Sequence, residues 1–161
     1  MILERFELLD KVVDLDVAAC RIVSEVEVPM ESPVFEGHFP GFPLVPGVML
    51  IEAIAQTCGY LVMMTRDFQR MPFLSGVTAA KFRGPVSPGD RLIIRATLPH
   101  TGSSYAVGEG KIFRDDKKVA EAEIKYGVTK FPNRAMLDAL HGRAERLGLP
   151  LPAVAPEIDF A

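Results

Sequence analysis

A chain of 161 residues fits one domain with a sizeable core, and 48% hydrophobic with 24% charged residues is the balance of an ordinary globular protein. The formal charge of -3 argues against nucleic-acid binding, which calls for a basic excess. Cys20 and Cys58 are isolated, with neither a CxxC nor metal-ligand spacing, and suit a reducing cytoplasm better than a disulfide framework.

The opening "MILERFELLDK" carries charges throughout and does not read as a signal peptide. "FELLDKVVDLDVAACRIVSEVEVP" mixes β-branched residues with charges and predicts two strands joined by a turn around Asp14 to Val17. "MESPVFEGHFPGFPLVPG" holds four prolines and three glycines, so a stiff, irregular connection is expected. A long helix follows over roughly Val48 to Asp67, with Pro46 and Gly47 where a helix start tolerates them. Its length is borderline for a membrane span, and an acid near the middle is costly there, which predicts a core helix and no membrane span.

After the helix the texture turns to about four strands, in "PFLSGVTAAKFRG", "RLIIRATLPHTGSS", "YAVGEGKIFRDDKK" and "VAEAEIKYGVTKF". In the last, Ala120, Ala122, Ile124 and Tyr126 share one face and Glu121, Glu123 and Lys125 the other, as in a half-solvated antiparallel sheet. "NRAMLDALHGRAERLGL" predicts an amphipathic helix with Met136, Leu137, Leu140 and Leu147 as its apolar residues, and "PLPAVAPEIDFA" a loose tail. A sheet needs its apolar face covered, and a helix apolar all round needs wrapping. The economical solution is one α+β domain over residues 1–161, with a curved antiparallel sheet around the long helix.

Within that helix Glu52 and Gln56 are four residues apart and share a face. Their surroundings are apolar, so a carboxylate there is expected to lose water, which favours its neutral form and suits a general acid. Gln56 can orient it by a hydrogen bond. A buried acid paired with a base or a backbone donor fits the residues equally well. His38 sits in a loop whose prolines pre-set direction, as a base near neutral pH requires, although a structural histidine is also compatible. His100 and His141 lack such surroundings and are expected at the surface or on a helix flank. Gly47, followed by Val48, opens the helix, where free N–H groups and the dipole can stabilise an oxyanion. Base, acid and oxyanion donor together suit dehydration, but the residue types alone do not choose it over other acid–base chemistry.

"FEGHFPGFPLVPGVMLIEAIAQ", with the later "KFRGPVSPGDRL", closely resembles the signature of the FabZ-type 3-hydroxyacyl-acyl carrier protein dehydratases of fatty-acid synthesis. The resemblance spans Phe35 to Leu92. It implies the hot-dog fold and a homodimer, or a trimer of dimers, with His and Glu of one site coming from different subunits. By position it implies His38 as catalytic base, Glu52 as catalytic acid, Gly47 and Val48 at the thioester carbonyl, and Gln56 beside the acid. Glu rather than Asp favours the dehydratase-only type over the bifunctional dehydratase–isomerase.

On the same footing the implied partner is acyl carrier protein. Phosphopantetheine then arrives with the substrate, with no further cofactor and no metal. Lys81, Arg83, Arg91 and Arg95 offer a basic face for an acidic carrier. Phe39, Phe42, Met49 and Ile54 are candidate walls of an acyl tunnel. The usual opening segment of the family is replaced by "MILERFELLDKV", and the helix and tail after Asn133 extend past a minimal dehydratase. Both departures bear on acyl length and carrier preference. A hot-dog thioesterase and a non-catalytic acyl-binding module are the alternatives.

Overall fold

The computed structural model describes residues 1–151 and 154–161. Six strands form one antiparallel sheet: β1 (Lys11–Asp16), β2 (Arg21–Glu27), β3 (Met71–Phe82), β4 (Arg91–Thr101), β5 (Tyr105–Arg114) and β6 (Lys117–Thr129), in the order β1-β2-β4-β5-β6-β3. Among the described residues there are three α-helices: α1 (Pro33–Gly37), α2 (Gly47–Met64) and α3 (Arg134–Arg146). The sheet curls around α2, which lies against β2 through β6. This is the hot-dog arrangement.

α2 is long and apolar enough to cross a membrane, with a mean hydropathy of 1.5, but 67% of it is buried inside the fold, as befits a core helix. It seats on β5 through two glycines. A Cβ at Gly110 would meet Ile54 Cγ2 at 2.3 Å, and one at Gly108 would meet Cys58 Sγ at 2.7 Å. No larger residue leaves room for that approach. On β6 the expected alternation holds, with Ala120, Ala122, Ile124 and Tyr126 buried against the helix. The buried Tyr126 hydroxyl donates to Ala55 O at 2.7 Å, which ties β6 to α2.

The elements differ from expectation at several places. The first turn falls at Val17–Cys20, later than Asp14–Val17, because Asp16 Oδ1 accepts the Ala19 N–H at 2.8 Å and Cys20 adopts a left-handed φ of 49°. The Pro/Gly segment is not wholly irregular: Ser32 caps the Val34 N–H, Pro33 takes the first helical position, and α1 forms. α2 ends at Met64 rather than Asp67, since Asp67 and Phe68 turn left-handed.

At the C-terminal end, α3 begins on Asn133, whose side chain accepts the Met136 N–H at 2.9 Å. Leu137, His141 and Ala144 form its buried face, whereas Met136, expected among the apolar contacts, is 37% exposed. His141 is therefore a core residue and not a surface one: its ring meets Phe68 edge-on at 5.6 Å. The expected loose tail packs down. Ala155 is buried, Ile158 and Phe160 lie against the core, and Ala161 N–H donates to Phe131 O at 3.0 Å. Pro152 and Ala153, part of the same expected tail, lie outside the described residues.

Candidate active site

Glu52 sits in the second turn of α2, half-buried rather than stripped of water by an apolar surround. Gln56 Nε2 donates to Glu52 Oε1 at 3.1 Å and to Phe6 O at 2.7 Å, while Gln56 Oε1 accepts the Leu8 N–H at 3.3 Å. The amide is therefore held from three sides and holds the carboxylate in turn. Neither a basic side chain nor a backbone donor occupies Glu52, so the pairing weighed as an alternative role does not occur among the described residues.

Glu52 and Gln56 line a groove of about 510 Å³. Its floor is one face of α2, with Glu52, Ala55, Gln56, Gly59, Tyr60 and Met63 recurring every three or four residues. Met71, Pro72 and Leu74 of β3 form one side, Phe6 and Glu7 another, and Leu140 and Arg143 of α3 a third. Burial raises the Tyr60 phenol above its usual range. The Tyr126 phenol is raised as well, by burial first and by Cys58 and Glu52 beyond that.

His38 closes α1. Its N–H donates to Val34 O at 3.2 Å, its O accepts from Leu44 N at 2.8 Å, and Phe39 and Phe42 exchange backbone bonds across the turn. Gly41 takes the positive φ of 76° that this turn requires. The ring stacks on Phe39 with centroids 4.3 Å apart, and Nδ1 lies 3.1 Å from Leu44 O. Because a carbonyl only accepts, Nδ1 is the donor here, which in the neutral ring leaves the lone pair on Nε2, the nitrogen from which imidazole would act as a base.

Gly47 is the first residue of α2, capped by Pro46 with no side-chain bond. The N–H groups of Gly47 and Val48 have no acceptor among the described residues. Val48 is 71% exposed. The Phe82 ring covers Gly47, and a Cβ there would lie 3.0 Å from it. An unpaired helix N-terminus beside such a cover can receive a carbonyl oxygen.

The structure does not gather all the predicted site residues in one protomer. The Glu52 groove contains no residue of the His38 loop, and Phe39 lines a different depression with Phe35 and Glu36. Phe39 and Phe42 are exposed, and Met49 is buried. Ile54 is spent on packing against Gly110.

The basic residues also divide. Lys81 and Arg83 lie on or just after edge strand β3, while Arg91 and Arg95 lie on β4, with β6 and β5 between. Arg83 pairs with Glu121, together with Lys118. Hydrogen bonds from Lys118 and then Arg83 hold the Glu121 carboxyl down at about 2. Arg95 stacks over Phe113 at 4.7 Å, and Arg91 stands among Asp115, Asp116 and Glu27. Sequence reasoning missed Arg143, Tyr60 and the backbone of Phe6 and Leu8. Only Tyr60 had a local signal, being four residues beyond Gln56.

A FabA-like domain model matches residues 2–123. The chain is 43% identical over 128 residues to the 3-hydroxyacyl-(acyl-carrier-protein) dehydratase FabZ of Campylobacter concisus, covering 74% of this chain and 85% of that protein. With the enzyme of the same name from Enterococcus faecalis it shares 38% over 124 residues, covering 76% and 87%. Among solved structures it resembles the E. coli PaaI protein (TM-score 0.58, 20% identity, 75% of this chain and 78% of that one). A thioesterase from Haemophilus influenzae gives a TM-score of 0.58 at 13% identity, over 74% and 77% of the two chains. These last two establish the shared hot-dog fold alone. The family model and these relatives show that the chain belongs to the FabA-like family, with the FabZ-type dehydratases.

Proposed function

We propose that the protein dehydrates (3R)-hydroxyacyl thioesters of acyl carrier protein to the trans-2-enoyl products, in fatty-acid synthesis. The observation that carries this reading is Glu52, held by Gln56 and facing a groove large enough for an acyl chain. The Gly47 N–H receives the thioester oxygen and acidifies the α-carbon. His38 Nε2 removes the α-proton, and the electron pair moves to form the α,β double bond. Glu52 gives its proton to the β-hydroxyl, which leaves as water. Return of the proton from His38 to Glu52 resets the site.

The chemistry uses the chain's own groups, and the phosphopantetheine arm comes with the substrate. We place the enzyme in the cytoplasm, in keeping with the free cysteines Cys20 and Cys58.

The working unit in this proposal is a homodimer. β3 is an edge strand, and Phe73, Leu74, Val77 and Phe82 on it are exposed, as is Val48 at the head of α2. A long apolar edge of this kind favours pairing with a second copy. Such pairing supports a site in which His38 of one protomer serves Glu52 of the other.

Turnover of 3-hydroxyacyl-carrier substrates, followed by enoyl absorbance together with thiol release, tests the reaction. Enoyl formation without thiol is expected. Thiol release without enoyl product would make the protein a thioesterase, and neither product would make it a binding module.

A further inference from the structure

Arg143 stands on α3, beyond the residues that the family model covers, yet it reaches the Glu52 groove. Its side chain is only 16% exposed, and Nη1 pairs with Glu7 Oε2 at 2.5 Å. Nη2 donates to Leu9 O at 3.4 Å. The guanidinium holds the Glu7 carboxyl below its usual range, so the pair stays charged through neutral pH. One residue of α3 thus grips both ends of the segment Glu7 to Leu9.

The opposite side of that segment is gripped by the site. Phe6 O and the Leu8 N–H both bond the Gln56 amide, and the same amide bonds Glu52. Leu8 and Leu9 are buried, and outside the short 3₁₀ turn Leu3–Arg5 the stretch has no continuous strand or helix. Apolar burial sets how deep such a segment lies but is non-directional. The directional bonds set where its carbonyl and N–H groups point.

We infer that Arg143 is a positioning residue for Glu52, acting through Glu7 to Leu9 and Gln56. The inference rests on Glu52 being the acid of the reaction proposed above. Its physical basis is that a misplacement of about 1 Å at a reacting group can cost up to about 10²-fold in rate. A helix appended to the family's domain has then become part of what aims the acid.

The test is a cycle on the full-length protein with Arg143→Met, Gln56→Ala and the double variant, scored by kcat and KM for enoyl formation. Arg143→Met is expected to lower kcat about tenfold with KM within about twofold, in the range of couplings transmitted through packed networks. In the Gln56→Ala background, where the last link is already cut, the same substitution should cost less than about twofold. Thermal unfolding of all four proteins reports the folding cost separately. Glu7→Gln, which cuts the same link from the other side, should reproduce the kcat loss even if Arg143→Met folds poorly.

An unchanged kcat in both Arg143→Met and Glu7→Gln would overturn the inference. So would an equal loss in both Gln56 backgrounds, which marks a folding effect, or a change confined to KM that varies with acyl length, which marks a groove wall. Glu52→Gln separates this inference from its premise. Full turnover in Glu52→Gln removes the proposed acid itself, whereas an inactive Glu52→Gln beside a wild-type Arg143→Met removes only the relay.

Discussion

Gln56 holds Glu52 from one turn further along the same helix, amide nitrogen to carboxylate oxygen at 3.1 Å. The bond has a direction: Nε2 spends its hydrogens on Glu52 and Phe6 O, and Oε1 accepts from Leu8. Only an amide offers that combination of donors and acceptor. Gln56→Glu keeps the shape but turns both donors into acceptors and sets a second carboxylate beside the first. Its kcat should fall further than that of Gln56→Ala, by about tenfold or more, since unpaired polar groups and like charges cost more than an empty space. An equal or smaller loss in Gln56→Glu would mean that the amide does not aim the acid.

Separation of His38 from the Glu52 groove within one protomer makes a complementation experiment decisive. His38→Ala and Glu52→Gln should each lose most turnover, at about 10²–10⁴-fold per group. Mixed under exchanging conditions they should recover about a quarter of wild-type activity, because half the dimers are mixed and each holds one intact site. Mixtures as inactive as their parents would place both groups in the same protomer's site.

Val77 lies on edge strand β3 and is 38% exposed. Val77→Lys puts a charge on the surface assigned to the second copy, a device that natural sheets use to blunt edges. The variant should sediment as a folded monomer with circular dichroism like the parent and little turnover. An active monomer would contradict the shared site.

Gly110 tests the seating of α2. An added methyl there would stand 2.3 Å from Ile54 Cγ2, inside van der Waals contact. Gly110→Ala should destabilise by about 1–3 kcal/mol, each kcal/mol lowering Tm by about 2–4 °C in a chain of this size. Ile54→Ala alone should cost about 2–5 kcal/mol. The double variant should lose less than the two single losses together, and strict additivity would show that the two residues do not share one space.

How far the sequence could be read depended on how local each relationship was. Glu52 and Gln56, one helical turn apart, were legible as a pair, and the prolines around His38 announced a fixed loop. Burial of Ala120, Ala122, Ile124 and Tyr126 followed from their alternation with Glu121, Glu123 and Lys125. Arg143 and Glu7 come from opposite ends of the chain, and nothing in either neighbourhood indicates that they meet. His141 looked like a surface or flank residue because its neighbours in sequence offer no rigid surround. The phase of α3 on the core is set by its tertiary contacts, and these turn His141 inward. The tail read as loose because it is rich in proline, yet Ala155, Ile158 and Phe160 suffice to lay it on the core.

Glu121 carries a pH signature. Its carboxyl is held at about 2 against an ordinary value of 4.5, by Lys118 and then Arg83. A depressed folded-state pKa gives stability that is present above the unfolded value and lost as pH falls through the folded one. The gap in Tm between the wild type and Glu121→Gln should therefore be full above about pH 4.5 and shrink toward pH 2. Arg83 is exposed and Glu121 only half-buried, so added salt should narrow the gap too. A gap that widens on acidification would contradict the pairing.

The notches at Gly108 and Gly110 do more than admit a bulky helix. They accept Cys58 and Ile54, one turn apart on the same side of α2. At 3.6 residues per turn, Glu52 and Gln56 lie nearly diametrically across the helix from those two residues. The glycines work as a keyway: they index the rotation of α2, and a slip of one residue would swing the carboxylate about 100° around the axis. Aim at the front of the helix is thus set at its back.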